Sequence, residues 1–253
     1  MVVCRTAYHR GVVETLILLA ALAGGVVASV AGFGIGSLVT PVLAWQLDAK
    51  LAVAAVSIPH VIGTAVRFWR LGGRVDRRVL ASFGVMSAAG GLLGALLQER
   101  ATTPALLVLF GGLLLFSSAA ELTGFGRRMQ FGGALAWIAG ALSGLLGGLV
   151  GNQGGIRSAA LLGVDLPKHA FVTTATAVAL MVDAARVPVY LWFMGDEMRQ
   201  LGAWMAIATL GVVIGTFAGL QVLDRIPERS FRRVVAVVLA MLGAAMLLSG
   251  LIG

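Results

Sequence analysis

Apolar residues in this chain come in long continuous runs rather than in the alternating pattern of half-buried strands, and charged residues fall mainly between the runs. Read against their charged, glycine and proline interruptions, the runs predict five helical segments in the first half, at about 12–31, 35–47, 51–70, 79–98 and 104–122. The second half repeats the order, at about 131–150, 155–164, 169–193, 200–223 and 230–252. Most of these segments reach the roughly 20 residues that a helix needs to cross a hydrocarbon core of about 30 Å. In each half the second segment is too short, because 10 to 13 residues rise only roughly 15–20 Å. It is a half-helix, a re-entrant arm or a strongly mismatched span. Runs such as 106–116 and 234–248 do not alternate, which excludes a transmembrane β-barrel.

Composition supports a lipid-embedded chain. Hydrophobic residues make up 59% of the 253 positions and charged residues 12%, with a mean hydropathy of +0.97. The expected fold is an all-α polytopic transmembrane bundle of two homologous repeats, residues 1–122 and 131–253, joined by a cytoplasmic linker at 123–130 that carries Arg127 and Arg128. Gly32/Gly151, Gly36/Gly155 and Arg67/Arg186 share one offset of 119 positions, and Gly90/Gly211 and Gly94/Gly215 agree after a two-residue shift. The run at 12–31 follows Arg5 and Arg10 as a signal peptide would, but it contains Glu14 and leads into a glycine break, so it reads as a retained first span.

The net charge of +8 is a matter of topology. Arginines cluster beside hydrophobic ends, as cytoplasmic flanks do, and no soluble basic face exists to bind nucleic acid. If the short segments cross, the clusters Arg70–Arg78, Arg127–Arg128 and Arg225–Arg233 all lie on one side and the repeats are inverted; if they are re-entrant, the repeats run parallel and the last cluster lands outside. The positive-inside rule favours inversion. Cys4 is the only cysteine, so no intramolecular disulfide or cysteine-based metal site is expected, and no cofactor is implied.

The candidate chemistry sits at the two breaks, Gly32-Phe33-Gly34-Ile35-Gly36 and Gly151-Asn152-Gln153-Gly154-Gly155. A helix that starts just after a glycine turn presents unpaired N–H groups and a positive dipole end, an anion site without side-chain charge. Discontinuous helices serve transporters built from repeats in this way, whereas the plainer reading is that the glycines only allow close helix packing. Because exposed amides in lipid cost several kcal/mol each, the breaks should face each other or a cavity. Arg157, two positions after Gly155 and followed by Ser158, is an intramembrane cation suited to oxyanions, with interfacial snorkelling as its alternative. Asn152, Gln153 and Ser158 add neutral donors.

Asp183 and Arg186, three apart, can pair on one helix face, either as a structural ion pair or for gating or coupling; His60 is a further titratable candidate. Arg67, followed closely by Arg70, reads as a cytoplasmic anchor. Thr173, Thr174 and Thr176, with Ser57 and Thr64 in the first half, either line a path or bond their own backbone. The five tryptophans near segment ends fit an interfacial belt. Paired metal-ligand histidines, a nucleophile elbow and a Walker loop are all missing, so neither an enzyme nor an ATP-driven pump is expected.

The first break and its continuation to Thr40-Pro41-Val42-Leu43 resemble the first-repeat motif of the sulfite exporter TauE/SafE family, a glycine cluster followed by Pro-x-Leu, and residues 151–158 resemble its second copy. Ile35 stands where that cluster usually has glycine, and Ala160 where the second copy often has proline. The resemblance implies a multi-pass bacterial inner-membrane carrier of sulfite, sulfoacetate or related small anions. An anion channel and a non-transport membrane scaffold are the competing classes, and a homodimer is one option for its assembly.

Overall fold

A computed structural model describes residues 2–73, 75–124, 134–152, 154, 157, 161, 166, 168–222 and 228–252, and every structural statement below concerns these. The chain is all helical. In order it forms α1 (Val2–Ala31), α2 (Ile35–Ala44), α3 (Ala49–Leu71), α4 (Arg77–Gln98), α5 (Thr103–Thr123), α6 (Ala134–Val150), α7 (Lys168–Gln200), α8 (Gly202–Val222) and α9 (Glu228–Ile252). Seven helices are long and apolar enough to cross a membrane; α2 and α6 are the shorter apolar ones. The protein is therefore a polytopic helical bundle, with 123–130 falling largely outside the described residues.

Local chemistry sets the ends of the helices. Asp48 opens α3 by accepting from Lys50 N at 2.8 Å, and Gly72 in the left-handed conformation closes it. Asp76 opens α4 by accepting from Arg78 N at 2.8 Å and Val79 N at 3.0 Å. One wider π turn, Leu80–Gly84, interrupts α4. Near its far end α7 kinks at Met194, where φ is −131°.

The most extensive helix pairs are α5 with α9, α4 with α6 and α1 with α8. Small residues make them. A methyl group at Gly90 or Gly94 of α4 would run into the main chain of α6 at Ala141 and Leu145, while one at Gly215 or Gly219 of α8 would run into α1 at Leu22 and Val26. Lipid tails give helices no hydrophobic reason to associate, so such close backbone approach supplies the packing. Ala141 and Leu145 lie 119 positions after Leu22 and Val26, so α6 meets Gly90 and Gly94 with the same spacing at which α1 meets Gly215 and Gly219. Outward faces carry Leu92, Leu93, Leu96, Leu210 and Ile214 exposed, the arrangement of a surface that meets acyl chains. Trp45, Trp69, Trp137 and Trp192 are exposed as well.

Candidate anion site at the two helix breaks

Both breaks begin in the same manner. Gly32 has φ +80° and Gly151 φ +71°, and their amides close the last turns of α1 and α6 on Ala28 O and Gly147 O, each at 3.0 Å. An L side chain would be strained at either position. After Gly32, Gly34 at φ +143° acts as N-cap of α2 and offers no side-chain cap, leaving the first amides of α2 without that partner.

The breaks meet. A Cβ at Gly36 would overlap the Gly151 carbonyl, and one at Gly154 would overlap the Phe33 side chain. Ser37 Oγ donates to Asn152 Oδ1 at 3.3 Å across the contact. Between them lies a small cavity of about 10 Å³, lined by Phe33, Gly34, Gly36, Ser37, His60, Gly151, Asn152, Gly154 and Arg157. That is room for roughly one water.

Arg157 is 2% exposed. Its Nη2 donates to Gly32 O at 2.9 Å, tying the second break to the first. Its Nε and Nη1, like Asn152 Nδ2, have no hydrogen-bond partner among the described residues. A buried guanidinium with Nε–H and Nη1–H unpartnered beside a cavity is able to donate to the oxygens of an anion. Gln153, Gly155 and Ser158 lie outside the described residues.

Behind the cavity is a buried ionic group. Asp183 Oδ1 accepts from Arg186 Nε at 2.9 Å and lies 2.8 Å from Nη2, while Asp183 Oδ2 lies 2.7 Å from His60 Nδ1. Arg186 Nη1 also donates to Gly147 O at 2.7 Å, and Tyr190 OH donates to Gly148 O. These bonds satisfy carbonyls at the C-terminal end of α6, where the helix dipole is negative. The three residues named as gating or coupling candidates thus form one connected unit, with His60 reaching the cavity.

Arg67 overturns its reading as a cytoplasmic anchor. It is 2% exposed, donates from Nη1 to Ala28 O and from Nε to Thr176 Oγ1 at 3.2 Å. Arg70, one turn on, is the exposed residue, with its guanidinium 4.9 Å from the Phe217 ring centre. The signal that identifies Arg67 is its spacing from Arg186: Ala28 and Gly147, their acceptors, are separated by the same 119 positions. Tyr190 had no comparable signal. The hydroxyls divide: Thr176 and Ser57 bond their own helices, at Val172 O (2.7 Å) and Ala54 O (2.6 Å), while Thr174 Oγ1 accepts from Asp76 N at 3.0 Å. Thr40 and Thr64 hydroxyls are buried without a partner among the described residues.

No curated protein and no solved structure matches the chain significantly. The family model described as sulfite exporter TauE/SafE matches residues 16–246. A multi-pass bundle with a buried, cation-lined break, matched over nearly its whole length, belongs to the TauE/SafE family, whose members are membrane transporters of sulfur-containing anions rather than enzymes.

Proposed function

We propose that the protein is a secondary carrier that exports a small oxyanion, such as sulfite, sulfoacetate or a related sulfonate, across the bacterial inner membrane. The observation that carries this reading is Arg157: buried, attached to the first break through Gly32 O, and with Nε and Nη1 free beside a cavity lined by both breaks. The anion is held by the first amides of α2, by Asn152 Nδ2, and by Nε and Nη1 of Arg157. Phe33, Gly34, Gly36, Gly151 and Gly154 form the walls, and Gly32 holds Arg157 through its carbonyl. The second-break members Gln153, Gly155 and Ser158 remain candidates by sequence position alone.

The cavity volume of about 10 Å³ supports a closed carrier site over an open pore, so an anion enters as the helices flanking the breaks move apart. Asp183, Arg186 and His60 couple that motion to the charge in the site. Export is favoured electrically, because moving one negative charge outward through an inside-negative potential gains roughly 2.3 kcal/mol per 100 mV.

The bundle is read as two inverted repeats, residues 1–122 and 131–253. Its support is the recurrence of one bond, Arg67 to Ala28 O and Arg186 to Gly147 O, at a common offset. It is reinforced by packing in which α1 rests on α8 as α6 rests on α4. A reporter fused to the C-terminus tests the five-crossing inverted arrangement: an external signal is expected, and a cytoplasmic one rejects it.

The site itself is tested by sulfite binding to purified protein and by counter-flow in liposomes. Arg157→Ala is expected to lower affinity about a hundredfold, consistent with the roughly 2–5 kcal/mol that follows loss of a buried charged partner. Unchanged affinity removes Arg157 from the site, and uptake without counter-flow replaces the carrier by a channel.

A further inference from the structure

His60 stands between the cavity and the buried ion pair, and its two nitrogens have different neighbours. Nδ1 lies 2.7 Å from Asp183 Oδ2. Asp183 also takes two donors of Arg186 on Oδ1, so it is held as a carboxylate and can only accept. The proton in the His60–Asp183 bond therefore sits on Nδ1. This fixes the tautomer: the remaining nitrogen, Nε2, is a lone pair when the ring is neutral and an N–H donor when the ring is protonated. With Nδ1 turned to Asp183, the Cε1–Nε2 edge is the part of the ring left for the cavity it lines.

A lone pair there repels an anion, whereas an N–H attracts it. We propose that His60 is a direct ligand of the transported anion, donating Nε2–H as an imidazolium, so that each anion bound brings one proton onto the ring. The proposal rests on the anion-site reading above and adds to it a ligand and a co-transported ion.

The surrounding charges make the step chemically reasonable. Arg157 faces the ring's cavity from the segment after the second break, Asp183 and Arg186 face it from α7, and Arg67 lies on α3 itself within Coulombic reach of Arg157 and Asp183. No charged residue exists in α2, α6 or α8; the acidic Glu14 of α1 lies roughly 27 Å along the helix from Gly32, and the Glu121 of α5 is near that helix's end. Asp183 neutralises Arg186, and Arg67 is committed to Ala28 O and Thr176. Of these cations only Arg157 lines the cavity and has unpartnered donors there. A doubly charged anion then needs a second cation, and protonated His60 is the group positioned to supply it.

Sulfoacetate is the probe, because both of its charges are constant between about pH 6 and about pH 8. Binding to the purified full chain is measured by calorimetry across that range, in buffers of differing ionisation heat. The wild type is expected to bind more weakly as pH rises, approaching a tenfold change per pH unit once above the pKa of the ring, with uptake approaching one proton per anion. His60→Asn keeps an N–H for Asp183 while removing Nε2, and is expected to bind weakly with no pH slope and no proton uptake. His60→Gln, whose amide reaches the Nε2 position as a permanent donor, is expected to bind with no pH slope. Wild-type binding that depends on Arg157 but is flat in pH and takes up no proton overturns the proposal and leaves the anion site standing. A wild-type slope retained in both His60 variants also overturns it. Failure of the wild type to bind sulfoacetate at any pH overturns this proposal, and failure to bind sulfite as well overturns the site reading with it.

Discussion

Arg67 and Arg186 each reach a carbonyl near the end of a helix, Ala28 O in α1 and Gly147 O in α6, yet the residue one turn before each differs in kind. Before Arg186 stands Asp183; before Arg67, at the matching offset, stands Thr64. Arg186 is consequently neutralised by a carboxylate at 2.8 Å, whereas Arg67 has only the neutral acceptors Ala28 O and Thr176 Oγ1. Thr64 Oγ1 finds no partner among the described residues. The same helix-capping bond is thus used twice, once with titratable chemistry attached and once without. It follows that the architecture of the breaks does not require the carboxylate, and that Asp183 and His60 answer to something the first half does not do.

Breaking the richer side should have the largest effect. Asp183→Asn leaves Arg186 buried without a counter-charge, and Arg186→Met strands Asp183 in the same way; each is expected to cost about 3–5 kcal/mol of stability, read as thermal unfolding in detergent. Arg67→Met removes bonds to neutral acceptors and strands no opposite charge, so about 2 kcal/mol is expected. Equal losses at Arg67 and Arg186 would abolish the distinction. Thr64→Asp sharpens the comparison by giving the first half the missing carboxylate. It should pair with Arg67 and, by placing a second negative charge behind the cavity, weaken sulfite binding about tenfold, an effect of roughly 1.4 kcal/mol; tighter binding would contradict the electrostatic reading. At the breaks, Gly32→Ala adds only backbone strain, about 1 kcal/mol, because a methyl there meets open space. Gly151→Ala should fall further, since its methyl would lie 3.3 Å from Val53 Cγ1. Thr64→Val is expected to change stability by under about 0.5 kcal/mol, because the hydroxyl it removes has no bond to lose.

The helices were legible in the sequence, apart from the segment expected at 155–164, which lies almost wholly outside the described residues, because lipid imposes a length and a composition that few alternatives satisfy. Segments expected at 35–47, 79–98 and 104–122 appear as Ile35–Ala44, Arg77–Gln98 and Thr103–Thr123. The meeting of the breaks was legible for the same reason, since unpaired backbone in a membrane needs a protein or polar partner. The partners of individual side chains were not. Arg67 and Arg70 are three residues apart, chemically identical and only about 60° apart around the helix, so which one faces inward depends on neighbours far along the chain.

The π turn at Leu80–Gly84 has a consequence for how α4 tolerates change in length. A π turn accommodates one residue beyond an α-helical turn, so it works as a local insertion that the rest of the helix does not feel. Removing a single residue between 80 and 84 would restore ordinary winding while Ser87, Gly90 and Gly94 keep their azimuth toward α6. The same deletion a few residues later, within the stripe itself, would rotate every following position by about 100° and turn leucines into the seam. Indel tolerance in α4 is therefore confined to that one turn.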